Sequence, residues 1–429
     1  MNKLPIFICL LLVLQSIQSF KLQDTYPSCP GQETQTSSRS VTPRIIQQSS
    51  HGKLYQATSG NNYIDILVLF GDAKQMGTSA GSLLKQQVQS NIENFESWVE
   101  NNLETVLEQI HVPKFLADML GQYSVLMVEN LLDLLATVTA PYTPQRFTNE
   151  LKGMASGANI SYKSLRNFNL FGELFQGAGA SALAGVWGEA TSDGELYTLR
   201  TLDWPVSTPL NQNPIITIYQ STEENSYSFA NIGYSGIIGA VTLVSSQGIS
   251  IGDKVWFMDK DGESAGWSYI GTPYQYALRD LAQFGKNLED VHEILEQTKR
   301  TVKLYVGVGS TQSNGYEGFK YSKSVLNSYN DKNYSQIYTE SHPQQNGVFY
   351  WNQYTQPSKN SCFSDILQEN YGKINAQTLW QTIPGYANTG ISQLVVADLA
   401  KSVVYVAYGA DKKPAYNQDL FKIDLSPYW

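Results

Sequence analysis

"GAGASALAGVWGEATSDGELYTLRTLDWP", Gly177–Pro205, runs small residues into a single serine, Ser181, and then through two apolar runs divided by Asp193-Gly194. An Asp-Gly pair between alternating runs marks a two-residue hairpin turn, because a type I′ turn needs positive φ at both central positions. With that turn Ser181 lies opposite Val206. Ser181 and Arg200 then share one face of the ladder, and Asp203 takes the other. The ideal ladder also leaves Arg200 about 20 Å from the partner of Ser181. Gly185 and Gly188 are the bulge positions that would shorten the first strand, and a break at Trp204-Pro205 would swing Asp203 inward.

A serine hydroxyl needs a base before it can attack. Histidine is the usual base, and the chain has only His51, His111, His292 and His342. If the bond between Ala180 and Ser181 were cut, the new α-amino group, with an ordinary pKa of about 7.7–8.0, would serve its own hydroxyl. The small residues Gly177-Ala178-Gly179-Ala180 give the backbone freedom there. Asp203 would orient the amine, and Arg200 would hold Asp203 or bind a substrate oxygen. The competing reading is structural: Ser181 caps a backbone group, and Arg200 and Asp203 form an i, i+3 surface pair.

Outward from this stretch, the texture differs on the two sides. Upstream, Leu83, Leu84, Val88, Ile92, Phe95 and Val99 recur every three or four positions, which predicts amphipathic helices, after a strand at Tyr63–Gly71. Downstream, short strands predominate, with one helical region around Tyr274–Arg300. The expected organisation is a secretory signal over 1–19, a mobile leader over 20–53, a mainly helical region over 54–180 and a strand-rich region over 181–429. Helices followed by strands predict an α+β fold around a shared core.

The 429 residues are 42% hydrophobic with a net charge of −9. No basic block exists to displace counterions, so nucleic acid is not an expected partner. No later segment resembles an integral membrane span, which needs about 20 apolar residues. The signal points to a secreted protein or a lysosome-like compartment. Of three cysteines, Cys9 leaves with the signal; Cys29 and Cys362 can pair in an oxidising compartment or stay free. Asn159 and Asn333 head glycosylation sequons.

Ser181, "VWGEATSDG" and "RTLDW" together resemble the N-terminal nucleophile hydrolases, above all the penicillin acyltransferase-like and acid ceramidase-like group. That pattern has a cysteine, then Trp-Gly, an Ala-x-Asp-Gly turn and Arg-Asn-Leu-Asp-Trp. "FGDAKQMGTSAGSLL", "ELKGMASGANISYKSLRNFNLFGELF", "GIIGAVTLVSSQGISIG" and "ISQLVVADLAKSVVYVAYG" resemble further segments in the same order. The resemblance implies a four-layer αββα sandwich and self-cleavage between Ala180 and Ser181 into α and β chains. It also implies hydrolysis of a linear amide, such as ceramide or an N-acylethanolamine, by Ser181, Arg200 and Asp203. Serine replaces the usual cysteine, and Leu243-Val244-Ser245 replaces Gly-Met-Asn. Asn388 is therefore a candidate oxyanion donor or, alternatively, a turn asparagine.

Ser79 in "MGTSAG" fits a Gly-x-Ser-x-Gly elbow, but Asp72-Ala73-Lys74-Gln75 separates it from the preceding strand, whereas an elbow needs a strand running straight into the serine. "HEILEQ", from His292, lacks the second histidine of a zinc motif. No metal and no cofactor is expected. The non-enzymatic alternative is a secreted binding protein of the same fold.

Overall fold

The strand Asn62–Gly71 shows why the layers form. Ile64, Ile66 and Val68 enter one buried cluster, and Leu67 and Leu69 enter another. The run is apolar on both faces because both faces are covered. In the computed structural model, residues 29–60, 62–102, 124–174, 180–204, 208, 211–255, 268–333, 341–356, 358–410 and 413–429 are described.

The strands are β1 Ser38–Ser40, β2 Arg44–Ser49, β3 Gly52–Ser59, β4 Asn62–Gly71, β5 Ala180–Gly188, β6 Gly194–Asp203, β7 Pro214–Ser221, β8 Phe229–Tyr234, β9 Leu243–Ser245, β10 Ile249–Val255, β11 Leu304–Ser310, β12 Gly315–Tyr321, β13 Leu326–Tyr329, β14 Val348–Trp351, β15 Gln393–Asp398, β16 Val403–Tyr408 and β17 Leu420–Asp424. One sheet has the order β1-β17-β16-β15-β6-β5-β14, the other β13-β12-β11-β10-β9-β8-β7-β4-β3-β2. The helices α1 Ala73–Leu83, α2 Lys85–Asn101, α3 Ser124–Thr139, α4 Gln145–Ala158, α5 Tyr162–Leu174, α6 Tyr274–Phe284 and α7 Leu288–Gln297 cover the outer face of the longer sheet. The shorter sheet is covered by α8 Cys362–Glu369, a π-helical turn Thr378–Thr382 and α9 Ile383–Ala387. The result is an α+β sandwich of four layers, helix, sheet, sheet, helix.

Residues 29–53 do not form a mobile leader. β1 pairs with β17, and β2 pairs with β3 at the edge of the longer sheet. Cys29 is disulfide-bonded to Cys362 across 333 residues of sequence. The sequence gives no periodic signal here because β2 is an exposed edge strand, held by backbone bonds rather than by a buried side-chain face. The secretory signal expected over 1–19 lies outside the described residues. Asn159 is exposed and caps α4 in the left-handed region. The Asn333 amide nitrogen instead donates to the Ser328 carbonyl at 3.2 Å.

The Gly-x-Ser-x-Gly stretch is a helix crossing, since Ser79 is buried within α1. A Cβ on Gly77 would stand 2.1 Å from the Glu150 carbonyl oxygen, and one on Gly81 would stand 2.1 Å from that of Met154. The glycines let the backbones of α1 and α4 touch. Gly81→Ala should therefore lower stability by about 1–3 kcal/mol, read as a lower urea midpoint at unchanged slope. Ser79→Ala, which adds no atoms, should move that midpoint less.

Candidate active site

The hairpin that carries Ser181 is tighter in register than an Asp-Gly turn would make it. Ser181 pairs with Leu202, not Val206, and Leu183 pairs with Arg200. The slip arises because Glu189–Asp193 forms a longer loop. Ser192 donates its backbone N–H to Ile374, and the Gly372 and Ile374 N–H groups donate to Ala190. Thr191 Oγ1 lies 3.1 Å from the carbonyls of both Gly188 and Glu195. The register shifts between Val186 and Gly188, and Gly188 takes φ 59°. Gly185 is no bulge: it pairs regularly with Thr198, and a Cβ there would strike the Tyr316 ring.

A slip of four residues preserves facing, so Ser181 and Arg200 still share a side. It also brings Arg200 from a distant rung to the diagonal neighbour of Ser181, where Cα separations are about 7–8 Å. That shared side faces the second sheet: a Cβ on Gly252 of β10 would lie 2.7 Å from both Leu183 Cδ2 and Arg200 Cγ. Ser181 is 4% exposed and Arg200 6%. Among the described residues the Ser181 hydroxyl makes no hydrogen bond.

Arg200 is only partly satisfied. Its Nη2 donates to the Asp253 carbonyl oxygen at 3.4 Å and lies 3.6 Å from that residue's carboxylate. Among the described residues, its Nε and Nη1 are buried without a partner. Unpaired buried donors each cost about 1–3 kcal/mol or more, so the site presents two donors in want of an acceptor. Burial raises the Asp253 pKa, and the Arg200 charge opposes that rise.

Asp203 pairs with Ala180 and so lies beside the backbone nitrogen of Ser181, with its side chain on the outer face. Its carboxylate accepts from Thr389 Oγ1 at 2.5 Å and from the N–H groups of Gly390 at 2.5 Å and Ile391 at 2.9 Å. Burial raises its pKa, partly offset by those donors and by Arg200. A relay reaches it from the chain beside Ser181: Ala182 N–H donates to Thr201 Oγ1, which bonds Thr389 Oγ1. Pro205 lies outside the described residues. Asn388 is exposed, ends α9 with φ 53° in the left-handed region, and belongs to the turn on the outer face. That is the turn geometry of the alternative reading, and the Arg200 Nε and Nη1 are the unpartnered donors on the Ser181 side among the described residues.

No protein-family model matches the chain. Protein dcd1B of Dictyostelium discoideum is 30% identical over 378 residues, 87% of this chain and 73% of dcd1B. Protein dcd1A of the same organism is 28% identical over 443 residues, 97% of this chain and 98% of dcd1A. The chain belongs to the dcd1 family. Among solved structures it is similar to a Caenorhabditis elegans N-acylethanolamine-hydrolyzing acid amidase ortholog, at 12% identity and TM-score 0.39 over 56% of this chain and 99% of that one. It is also similar to penicillin V acylase of Agrobacterium tumefaciens, at 11% and 0.35 over 57% and 86%.

Three residues of this dcd1-family site escaped the sequence reading. Asp253 and Lys254 interrupt the apolar strand "GISIGDKV", a charge pair that was itself the available signal. Lys254 is 1% exposed, and its ammonium nitrogen bonds the carbonyl oxygens of Asn352 and, at 2.6 Å, Tyr354. The third is Glu173, in the last turn of α5 before residues 175–179. Its Oε1 accepts from the Tyr274 N–H and, at 3.3 Å, from Thr301 Oγ1, while Oε2 is buried and unpartnered.

Burial pushes the Glu173 pKa up to about 8 from 4.5. The folded chain thus holds a proton that the unfolded chain releases at lower pH. The associated stability is full below about pH 4.5 and is lost as pH rises toward about 8. Thermal melts should show stability falling through that window, by up to about 1.4 kcal/mol per pH unit from this group. Glu173→Gln, which mimics the protonated acid, should flatten the slope.

Proposed function

We propose that the chain is an amidohydrolase of the N-terminal nucleophile type, self-cleaved between Ala180 and Ser181 and acting on a linear amide. One observation carries the reading: an uncommitted Ser181 hydroxyl and two orphaned Arg200 donors share the inner face of one hairpin, buried between two sheets. Donors fixed in place in this way need no reorganisation when charge develops on an oxygen. They gain most from an oxygen that becomes negative.

After the cut, the Ser181 α-amine is the base for its own hydroxyl. Ser181 Oγ attacks the amide carbon while Nε and Nη1 of Arg200 donate to the carbonyl oxygen. The amine passes the proton to the leaving nitrogen, and an acyl ester remains on Oγ. Water then releases the acid, with the same amine as base. Asp203, on the rung of Ala180, accepts from the ammonium form and holds its orientation. The resemblance to acid ceramidase-like proteins favours a lipid amide such as ceramide or an N-acylethanolamine as substrate, and the signal-like first 19 residues favour a secreted or lysosome-like location.

The full chain, run on a reducing gel after maturation, should yield a fragment whose N-terminus is Ser181. Ser181→Ala should abolish both that fragment and release of fatty acid from ceramide or an N-acylethanolamine. Arg200→Met should leave a folded protein with kcat lower by about 10²–10³. A wild-type chain that stays intact and inactive would overturn the proposal and leave a binding protein of this fold.

A further inference from the structure

Resting on that reading of Ser181, the uncut chain poses a problem that the mature site does not. The α-amine that serves as base does not exist until the bond is broken, so the first cut needs another base. Asp203 is turned to the outer face and engaged by three donors. Among the described histidines, His51 packs on Phe70, and His292 is bonded to Glu317. Both ring nitrogens of His342 are bonded, to Tyr350 and the Ser358 carbonyl.

The sheet crossing supplies a candidate. Gly252 lies under Leu183 and Arg200, while Thr198 lies over Gly309, the partner of Ser250. Moving along β10 from Ser250 through Gly252 to Lys254 therefore moves along the facing strands from Thr198 toward Leu202 and Ser181. Lys254 has the same facing as Gly252. A second strand agrees: β14 pairs Trp351 with Leu183. β14 ends on that rung, and the chain runs on past it to Gln353, whose side chain donates to the Ala387 carbonyl at 2.8 Å. The carbonyls that hold the lysine nitrogen belong to Asn352 and Tyr354, on either side of that position.

We infer that Lys254 is the base for self-cleavage, taking the Ser181 Oγ proton as that oxygen attacks the carbonyl carbon of Ala180. An unprotonated lysine nitrogen satisfies both carbonyls with its two N–H groups and keeps its lone pair free. The C–O bond forms, the C–N bond to Ser181 breaks, and the nitrogen takes the proton back from Lys254. Water then hydrolyses the ester, giving the Ala180 carboxylate and restoring the Ser181 hydroxyl beside a free α-amine. A serine–lysine pairing needs no histidine.

The surroundings suit this role. Burial lowers the Lys254 pKa to about 7, opposed by the Asp203 charge. The other groups on its side are the Tyr305 ring, 5.9 Å from the nitrogen, and Arg200 of β6; Asp253, next along β10, turns to the opposite face of the strand, with its carboxylate 3.6 Å from Arg200.

The test follows appearance of the Ser181 fragment in freshly synthesised full chain between about pH 5 and 9. In wild type, the rate should climb about tenfold per pH unit below about 7, then level off as the lysine becomes neutral. Lys254→Met and Lys254→Arg should slow the cut by about 10²-fold or more; the arginine keeps the cation but cannot act as the base. A flat or falling wild-type profile overturns the assignment, as does either folded variant cutting at the wild-type rate; in both cases Ser181 stands as the self-cutting residue. If both variants fail to fold by circular dichroism, the wild-type profile decides alone. A wild-type chain uncut at every pH, like Ser181→Ala, overturns the underlying reading as well.

Discussion

Everything at the site depends on the loop that joins β5 to β6. Its backbone is captured by Gly372–Ile374, so the two strands meet four residues out of the register a tight turn would impose. An odd slip would have turned Ser181 and Arg200 to opposite faces. No slip would have left them far apart on the same face. The hydrogen bonds of Ala190, Thr191 and Ser192 thus decide chemistry several rungs away, and a longer loop costs little in closure entropy.

The second constraint is buried charge. Between the sheets stand Arg200 and Lys254, with Asp253, Glu173 and Asp203 at the margins, all buried or nearly so. Burying charge costs several kcal/mol per ion unless partners compensate. Compensation here is uneven. Among the described residues, Asp203 has three donors, Lys254 has two carbonyls and no direct counter-ion, and Arg200 has Asp253 and two idle donors. By contrast, Arg279 and Glu150 under the longer sheet are paired at 2.8 Å, with the guanidinium over the Tyr219 ring. The paired ions hold helices to sheet. The unpaired ones cluster around the hairpin that carries Ser181, and perturbed groups often cluster at functional sites.

Much of this was legible because the signals are local. The alternation of β5 and β6 and the apolar period of α2 can be read residue by residue. So can the shared facing of Ser181 and Arg200. The separation of that pair could not, because it is set by Ile374, far along the chain. The N-terminal strands escaped for a related reason: β1 and β2 are ordered by partners in β17 and β3 and bury few side chains, so their composition resembles that of a disordered leader. The turn reading of Asn388 was legible because a left-handed cap is a local feature. Lys254 was overlooked although it breaks an apolar strand, since a lone lysine there acquires meaning only once the second sheet lies across Ser181.

The same N-terminal strands bear on what a cut at Ala180–Ser181 would do. Upstream of that bond, β4 pairs in parallel with β7 through Asp65–Gly71 and Ile215–Ser221. β1 pairs with β17 at the far edge of the other sheet. Cys29 is bonded to Cys362, so two fragments would stay covalently joined until reduced. Each sheet contains strands from both sides of the bond, and neither fragment alone could close a four-layer core. Self-cleavage would change one peptide bond's chemistry and leave the layers in place. The freed amine would appear where Asp203 is already anchored by the Thr389–Ile391 turn.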